Sequence, residues 1–141
     1  MDFFTTLVRY EVELWAAIDD ELVAAGGIRL AELQALSALH AHGTSGRVQD
    51  LSAEIGITIG AASKFVDRLE RAGYVVRQPH PTDRRSSLIA LTDAGTAAMT
   101  AAARVRASAL SALVDEEAAA DALRSLQRLQ ERLDDARKAN A

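Results

Sequence analysis

From Phe3 to Ala25, apolar side chains return every three or four residues, at Phe4, Leu7, Val8, Val12, Leu14, Trp15, Ile18, Leu22 and Val23. The run stops at Gly26-Gly27. That spacing paints one stripe on a helix, and glycine after the last periodic residue is a common stop, so the pattern predicts a long amphipathic helix. A second helix is predicted from Arg29 to His42, with Leu30, Leu33, Leu36, Leu39 and His40 in its pattern, before the loop Gly43-Thr44-Ser45-Gly46. Gln49 to Ile55 reads as a short helix carrying Leu51 and Ile55. Gly56 stands where a left-handed residue ends a helix, Ile57 where an apolar contact follows, and Thr58 where a hydroxyl can cap the next helix. The unit is helix, tight turn, helix. Its second helix runs from Ile59 to Ala72, with Phe65, Val66 and Leu69 on the buried side, and closes at Gly73.

Tyr74 to Arg77 and Ser87 to Leu91 then have strand character, with about ten residues of turn formers and charge between them. A loop of that length projects its tip, which carries Asp83, Arg84 and Arg85. Thr92-Asp93 caps a helix from about Ala94 to Val114, and Asp115-Glu116-Glu117 opens a last one to about Lys138, striped by Leu123, Leu126, Leu129 and Leu133. A helix followed by an arginine-tipped hairpin suits a duplex, the helix in the major groove and the tip in the neighbouring minor groove. The expected fold is mostly α with a small β wing: a winged helix-turn-helix core at residues 30–92, flanked by terminal helices at 1–25 and 93–141.

Composition narrows this picture. At 49% hydrophobic and 26% charged the chain can build an ordinary core, and with both prolines in the short run Pro79 to Pro81 the rest is free to be helical. There is no cysteine, which excludes disulfides, thiolate metal sites and cysteine-based peroxide sensing. The segment Met1-Asp2-Phe3-Phe4 lacks a basic n-region, and no uncharged apolar run approaches the ~18 residues of a membrane span, so a cytoplasmic protein without a membrane partner is expected. The net charge of −4 argues at first against nucleic acid, but its distribution reverses the argument. Ile57 to Leu91 holds Lys64, Arg68, Arg71, Arg77, Arg84 and Arg85 against Asp67, Glu70 and Asp83, a net +3 that leaves −7 for the remainder.

The chemistry on offer is recognition. Gly60 and Ala61 allow close approach to a groove, and Thr58, Ser63, Lys64 and Arg68 supply donors for phosphates and base edges; Arg77, Arg84 and Arg85 serve the wing. Other readings stand beside this one. The helical hairpin occurs in many folds, Asp83-Arg84-Arg85 could be a solvated turn, and the negative net charge would suit a winged helix used for protein contact without specific DNA binding. His40 and His42 do not share a helix face and His80 lies on the wing, so no metal site is expected. Nucleophile elbow, phosphate loop and His-Glu-x-x-His motifs are all missing, so neither an enzyme nor a cofactor is expected.

The run Gly60-Ala61-Ala62-Ser63-Lys64-Phe65-Val66-Asp67-Arg68-Leu69-Glu70 before Gly73, and Arg77 through Thr92 with Asp83 and Arg85, resembles the recognition helix and wing of the MarR family of winged-helix transcription factors. The resemblance covers essentially the whole chain, 1–141, as a single MarR-like domain. It implies a homodimer whose terminal helices interlock, two winged helices on a near-palindromic operator, and a repressor released by a small aromatic or anionic ligand. It also implies that Arg85 enters the minor groove and that Asp83 holds the wing arginines. Trp15 is then either a core or interface tryptophan, the simpler reading, or a wall of the effector pocket. The terminal helices carry more apolar surface than a small winged helix can cover, and dimerisation is the simplest sink for it.

Overall fold

The computed structural model describes residues 1–140. Its elements follow in the order α1 (Phe3–Ala24), α2 (Leu30–Ala41), α3 (Val48–Ile55), α4 (Ile59–Arg71), β1 (Val75–Pro79), β2 (Ser87–Leu91), α5 (Asp93–Leu113) and α6 (Glu116–Ala139). The chain forms two compact units, one from Met1 to Arg106 and one from Ala107 onward.

The first unit is built around α2, which is apolar on most sides and packs against α1, α3 and β2. Leu33, Ala35, Leu36 and Leu39 of α2 are fully enclosed, and they share the core with Leu22 of α1, Leu51 of α3, Val66 and Leu69 of α4, and Ile89 of β2. Asp19 fixes α1 to the start of α2. Its carboxylate accepts from the Arg29 side chain (Nε, 3.0 Å) and from the Leu30 backbone N–H (2.8 Å), one of the amides that a helix start leaves without a partner.

The strands pair antiparallel in a register from Val75↔Leu91 to Pro79↔Ser87, and Gly46 adds one bridge, its carbonyl accepting from Ile89 N–H at 2.7 Å. The sheet is bolted to the start of α5 by Thr92. Its Oγ1 donates to the Gly73 carbonyl (2.6 Å) and accepts from Gly95 N–H (3.0 Å), while its own N–H reaches the Tyr74 carbonyl (3.0 Å). This closeness requires glycine at position 95, where a Cβ would lie 2.0 Å from the Tyr74 oxygen.

The second unit holds the last turns of α5, the Asp115 cap, which accepts from Ala118 N–H at 2.8 Å, and α6. Along α6 the described residues include none that is buried, and Leu123, Leu126, Leu129 and Leu133 are 56%, 41%, 45% and 47% exposed. On the outer part of α1, Phe3, Phe4, Val8, Tyr10 and Val12 are likewise exposed. Among the described residues no helix is long and apolar enough to cross a membrane.

Among the described residues, six helices and a two-stranded sheet are the mostly α winged-helix class expected, with three local corrections. Strand β1 continues past Arg77 to Pro79, so the wing loop is His80 to Ser86, shorter than expected. Proline is tolerated there because it closes the strand, where a missing N–H costs little. Phe65 is half-buried instead of buried, since the inward stripe of α4 is Ala62, Val66 and Leu69 and Phe65 lies on its flank. His40, included in the apolar pattern of α2, is exposed.

Candidate nucleic-acid interface

The turn between α3 and α4 is locked locally. Gly56 takes the left-handed conformation (φ +69°), Gly56 and Ile57 N–H both reach the Ser52 carbonyl at 3.1 and 3.2 Å, and Ser52 Oγ donates back to the Ile57 carbonyl at 2.6 Å. Thr58 then caps α4, its Oγ1 accepting from Ala61 N–H at 3.1 Å, so it is engaged by its own helix. Turn and cap fix the direction in which α4 leaves α3.

At about 100° per residue, the face of α4 opposite Ala62, Val66 and Leu69 carries Gly60, Lys64, Arg68 and Arg71, flanked by Ala61. All five are exposed, and beyond Gly60 lies open space where a side chain would go; Ser63, to one side, is half-exposed. Lys64, Arg68 and Arg71 therefore form a row of cations along a helix with almost no apolar cover. Arg71 is not among the residues that the sequence singles out for recognition, although its spacing of three from Arg68 already places it on the row.

Arg77 takes a different position from the other wing residues. Only 24% of its side chain is exposed, and it is directed at α4. Nη1 donates to Glu70 (2.6 Å), Nη2 donates to Asp67 (2.6 Å) and weakly to the Ser63 carbonyl (3.4 Å), and the Arg77 N–H reaches Glu70 at 3.3 Å. Burial alone would lower the guanidinium pKa, but the hydrogen bonds to Asp67 and Glu70 outweigh it and hold the group above its usual value. One side chain thus ties the wing strand to the recognition helix and occupies both acids of that helix. The two acids three residues apart, facing the strand that follows, are the sequence signal for this tie.

At the wing tip Arg84 and Arg85 are exposed, and Asp83 acts on the backbone: its Oδ1 accepts from Arg85 N–H at 3.0 Å, and its carbonyl accepts from Ser86 N–H at 3.2 Å. His80 forms the base of the tip. Its Nδ1 accepts from Asp83 and Thr82 N–H (3.0 and 3.2 Å), and Arg47 Nη2, from the start of α3, lies 2.7 Å from its Nε2. A neutral imidazole has one acceptor nitrogen, so it can satisfy either the turn or Arg47 at a given moment. Trp15 is half-buried on α1. A cleft in the first unit is lined by Gln34, Ser37 and Ala38 of α2, Glu54 and Ile55 of α3, and Arg106, and Trp15 is not among its walls.

The charge left facing outward is lopsided. With Asp67 and Glu70 paired to Arg77, the α4 face and wing tip expose Lys64, Arg68, Arg71, Arg84 and Arg85 against Asp83. Such an array can neutralise phosphates and offer forked donors to base edges.

Comparison with known proteins agrees with this geometry. The family model of the MarR family matches residues 28–87. Among curated relatives, the HTH-type transcriptional regulator YfiV of Bacillus subtilis is 29% identical over 93 residues, 59% of this chain, and the HTH-type transcriptional regulator YcgE of the same organism is 45% identical over 40 residues, 28% of this chain. The chain spans 58% and 26% of the length of these two relatives. Solved structures agree over more of the chain: the transcriptional repressor CouR bound to a 23-mer DNA duplex has a TM-score of 0.80 at 23% identity, covering 94% of this chain and 92% of that one. CouR from Rhodococcus jostii RHA1 bound to p-coumaroyl-CoA has a TM-score of 0.76 at 24% identity, covering 91% of each chain. Likeness at these identities shows the fold.

Proposed function

We propose that this chain, whose residues 28–87 match the MarR family model, is a MarR-type DNA-binding transcriptional regulator, a repressor that grips a near-palindromic operator as a homodimer. The observation that carries the reading is the sorting of charge in the first unit. Lys64, Arg68 and Arg71 along α4 and Arg84 and Arg85 on the wing face outward, while the two acids of α4 are held by Arg77. A protein of net charge −4 has little reason to concentrate cations on one helix and one hairpin unless they meet an anion.

In this reading α4 enters the major groove from its capped start. Gly60 and Ala61 let the backbone approach, Ser63, Lys64 and Arg68 contact base edges or phosphates, and Thr58 sets the helix start. Arg84 and Arg85 take the wing into the minor groove, while Asp83 and Arg77 position them, one through the turn and the other through the strand. Two copies supply two such helices, which reach successive major grooves when spaced roughly 34 Å apart. The uncovered leucines of α6 and the exposed Phe3, Phe4, Val8 and Val12 of α1 are apolar surface that a second copy would cover. A small aromatic or anionic effector would release the operator by favouring a dimer in which that spacing is lost; CouR, which shares the fold, has been solved with p-coumaroyl-CoA. The protein would act where its operator is, in the cytoplasm.

Selection of bound duplexes from a random DNA pool tests this reading. Enrichment of an inverted repeat bound by two copies of the chain is the expected result. Failure to enrich any sequence would overturn it and favour a winged helix used for protein contact.

A further inference from the structure

Arg68 stands out in the cationic row because its side chain has a definite support. Its Cζ lies 4.6 Å from the centroid of the Phe65 ring, within the range of a cation–π contact. The two acids of α4, Asp67 and Glu70, lie one and two residues away, off the side that Arg68 occupies, and are engaged by Arg77 at 2.6 Å each. Among the described residues Arg68 has no side-chain hydrogen bond and no ion pair, so its guanidinium is held against a ring with all its N–H donors unused. Phe65 itself is not called for by the core. The inward stripe of α4 is Ala62, Val66 and Leu69, each nearly or fully enclosed, and Phe65 remains half-buried on the flank.

The geometry points to Phe65 as a positioning residue for DNA recognition: its ring holds the Arg68 guanidinium so that the free edge makes a two-pronged contact with adjacent acceptors on the duplex. A planar fork supported on one face loses less freedom on binding than a flexible one, and its paired donors fit two acceptors side by side. A duplex offers that chemistry at the O6 and N7 edge of a guanine and at the oxygens of a phosphate. The inference rests on the DNA-binding reading, and it assigns a role to a residue that touches no DNA itself.

The test is a double-mutant cycle with Phe65→Leu, which keeps the apolar bulk, and Arg68→Ala, read as affinity for the selected duplex. Phe65→Leu is expected to weaken binding about two- to fivefold when Arg68 is present, the worth of an exposed cation–π contact, and to change little in the Arg68→Ala background. Phe65→Tyr, which retains the ring, keeps wild-type affinity. Equal losses in both backgrounds, or none in either, overturn the inference while leaving the DNA-binding reading intact; a wild-type chain that binds no duplex overturns both. Should Phe65→Leu fail to fold, Phe65→Met, an unbranched apolar side chain without a ring, replaces it in the same cycle, and the same two outcomes support or overturn the platform. Substituting 7-deazaguanine at each operator guanine distinguishes the acceptor. Loss at one position that vanishes in Arg68→Ala identifies a guanine, whereas no such position, together with a shallower salt dependence of Arg68→Ala, identifies a phosphate.

Discussion

Replacing Arg77 with methionine keeps the long apolar stem and removes the guanidinium, which separates the wing strand from α4 electrostatically with little change of shape. The substitution deletes the ion pairs to Asp67 and Glu70 at 2.6 Å each and the weaker hydrogen bond to the Ser63 carbonyl. Asp67 and Glu70 are 48% and 40% exposed, so once orphaned they return to water and carry no burial penalty. Each pair is therefore worth at most about 1 kcal/mol, and because both share one guanidinium the total is about 1–2 kcal/mol. For a chain of this size that lowers Tm by roughly 3–8 °C, readable by circular dichroism. The same substitution leaves two unpaired carboxylates beside the row that faces the phosphates, so affinity for the selected duplex falls as well, most at low salt. Adding Asp67→Asn and Glu70→Gln to Arg77→Met should restore much of the affinity without restoring Tm. A variant that melts and binds like the wild type would refute the assignment of Arg77 as the tie between wing and recognition helix.

Further expectations concern other parts of the chain. Gly95→Ala places a methyl group 2.0 Å from the Tyr74 oxygen, which forces the start of α5 away from the sheet; a loss of at least about 1–3 kcal/mol is expected, and an unchanged melt would contradict the close approach. The Arg29 hydrogen bond, aided by the Leu30 N–H, holds the Asp19 pKa below its ordinary 3.8. A lowered folded pKa stabilises above the unfolded value and ceases to as pH falls through the folded one. Wild type should therefore melt above Asp19→Asn at pH 7, with the gap closing below about pH 3.8, and a gap that stays constant in acid would count against the tie. Arg85→Ala should weaken operator binding by about 1–3 kcal/mol in a mobility-shift titration and leave the oligomeric state alone; equal affinity would mean that the wing does not engage DNA. Leu126→Glu with Leu129→Glu should yield monomers in sedimentation analysis with the first unit still folded, and a surviving dimer would put the interface elsewhere.

Most of the architecture was legible in the sequence because it is set by local physics. The apolar stripes give the helices, and Gly56 with Thr58 gives the turn and cap, each within a few residues of the element it controls. What the sequence concealed depends on residues brought together from afar. Arg77 looked like one more wing cation, and its engagement emerges only when β1 packs beside α4 and meets Asp67 and Glu70. Phe65 carries the apolar signature of a core residue, yet a flank position turns one side of it toward Arg68. His80 has no assigned role in the sequence beyond its place on the wing, whereas in the fold it supports the turn and faces Arg47, 33 residues away. The end of β1 was hidden for a simpler reason: proline and charge mark a loop, and pairing carries the strand to Pro79 regardless.

Whether the outward cations of α4 and the wing meet phosphates is read from the affinity of the selected duplex as a function of salt. Each neutralised phosphate contributes roughly −0.9 to the slope of log K against log salt, so two subunits each presenting Lys64, Arg68, Arg71, Arg84 and Arg85 should give a slope steeper than about −4. A slope near zero would mean that these cations do not face a nucleic acid.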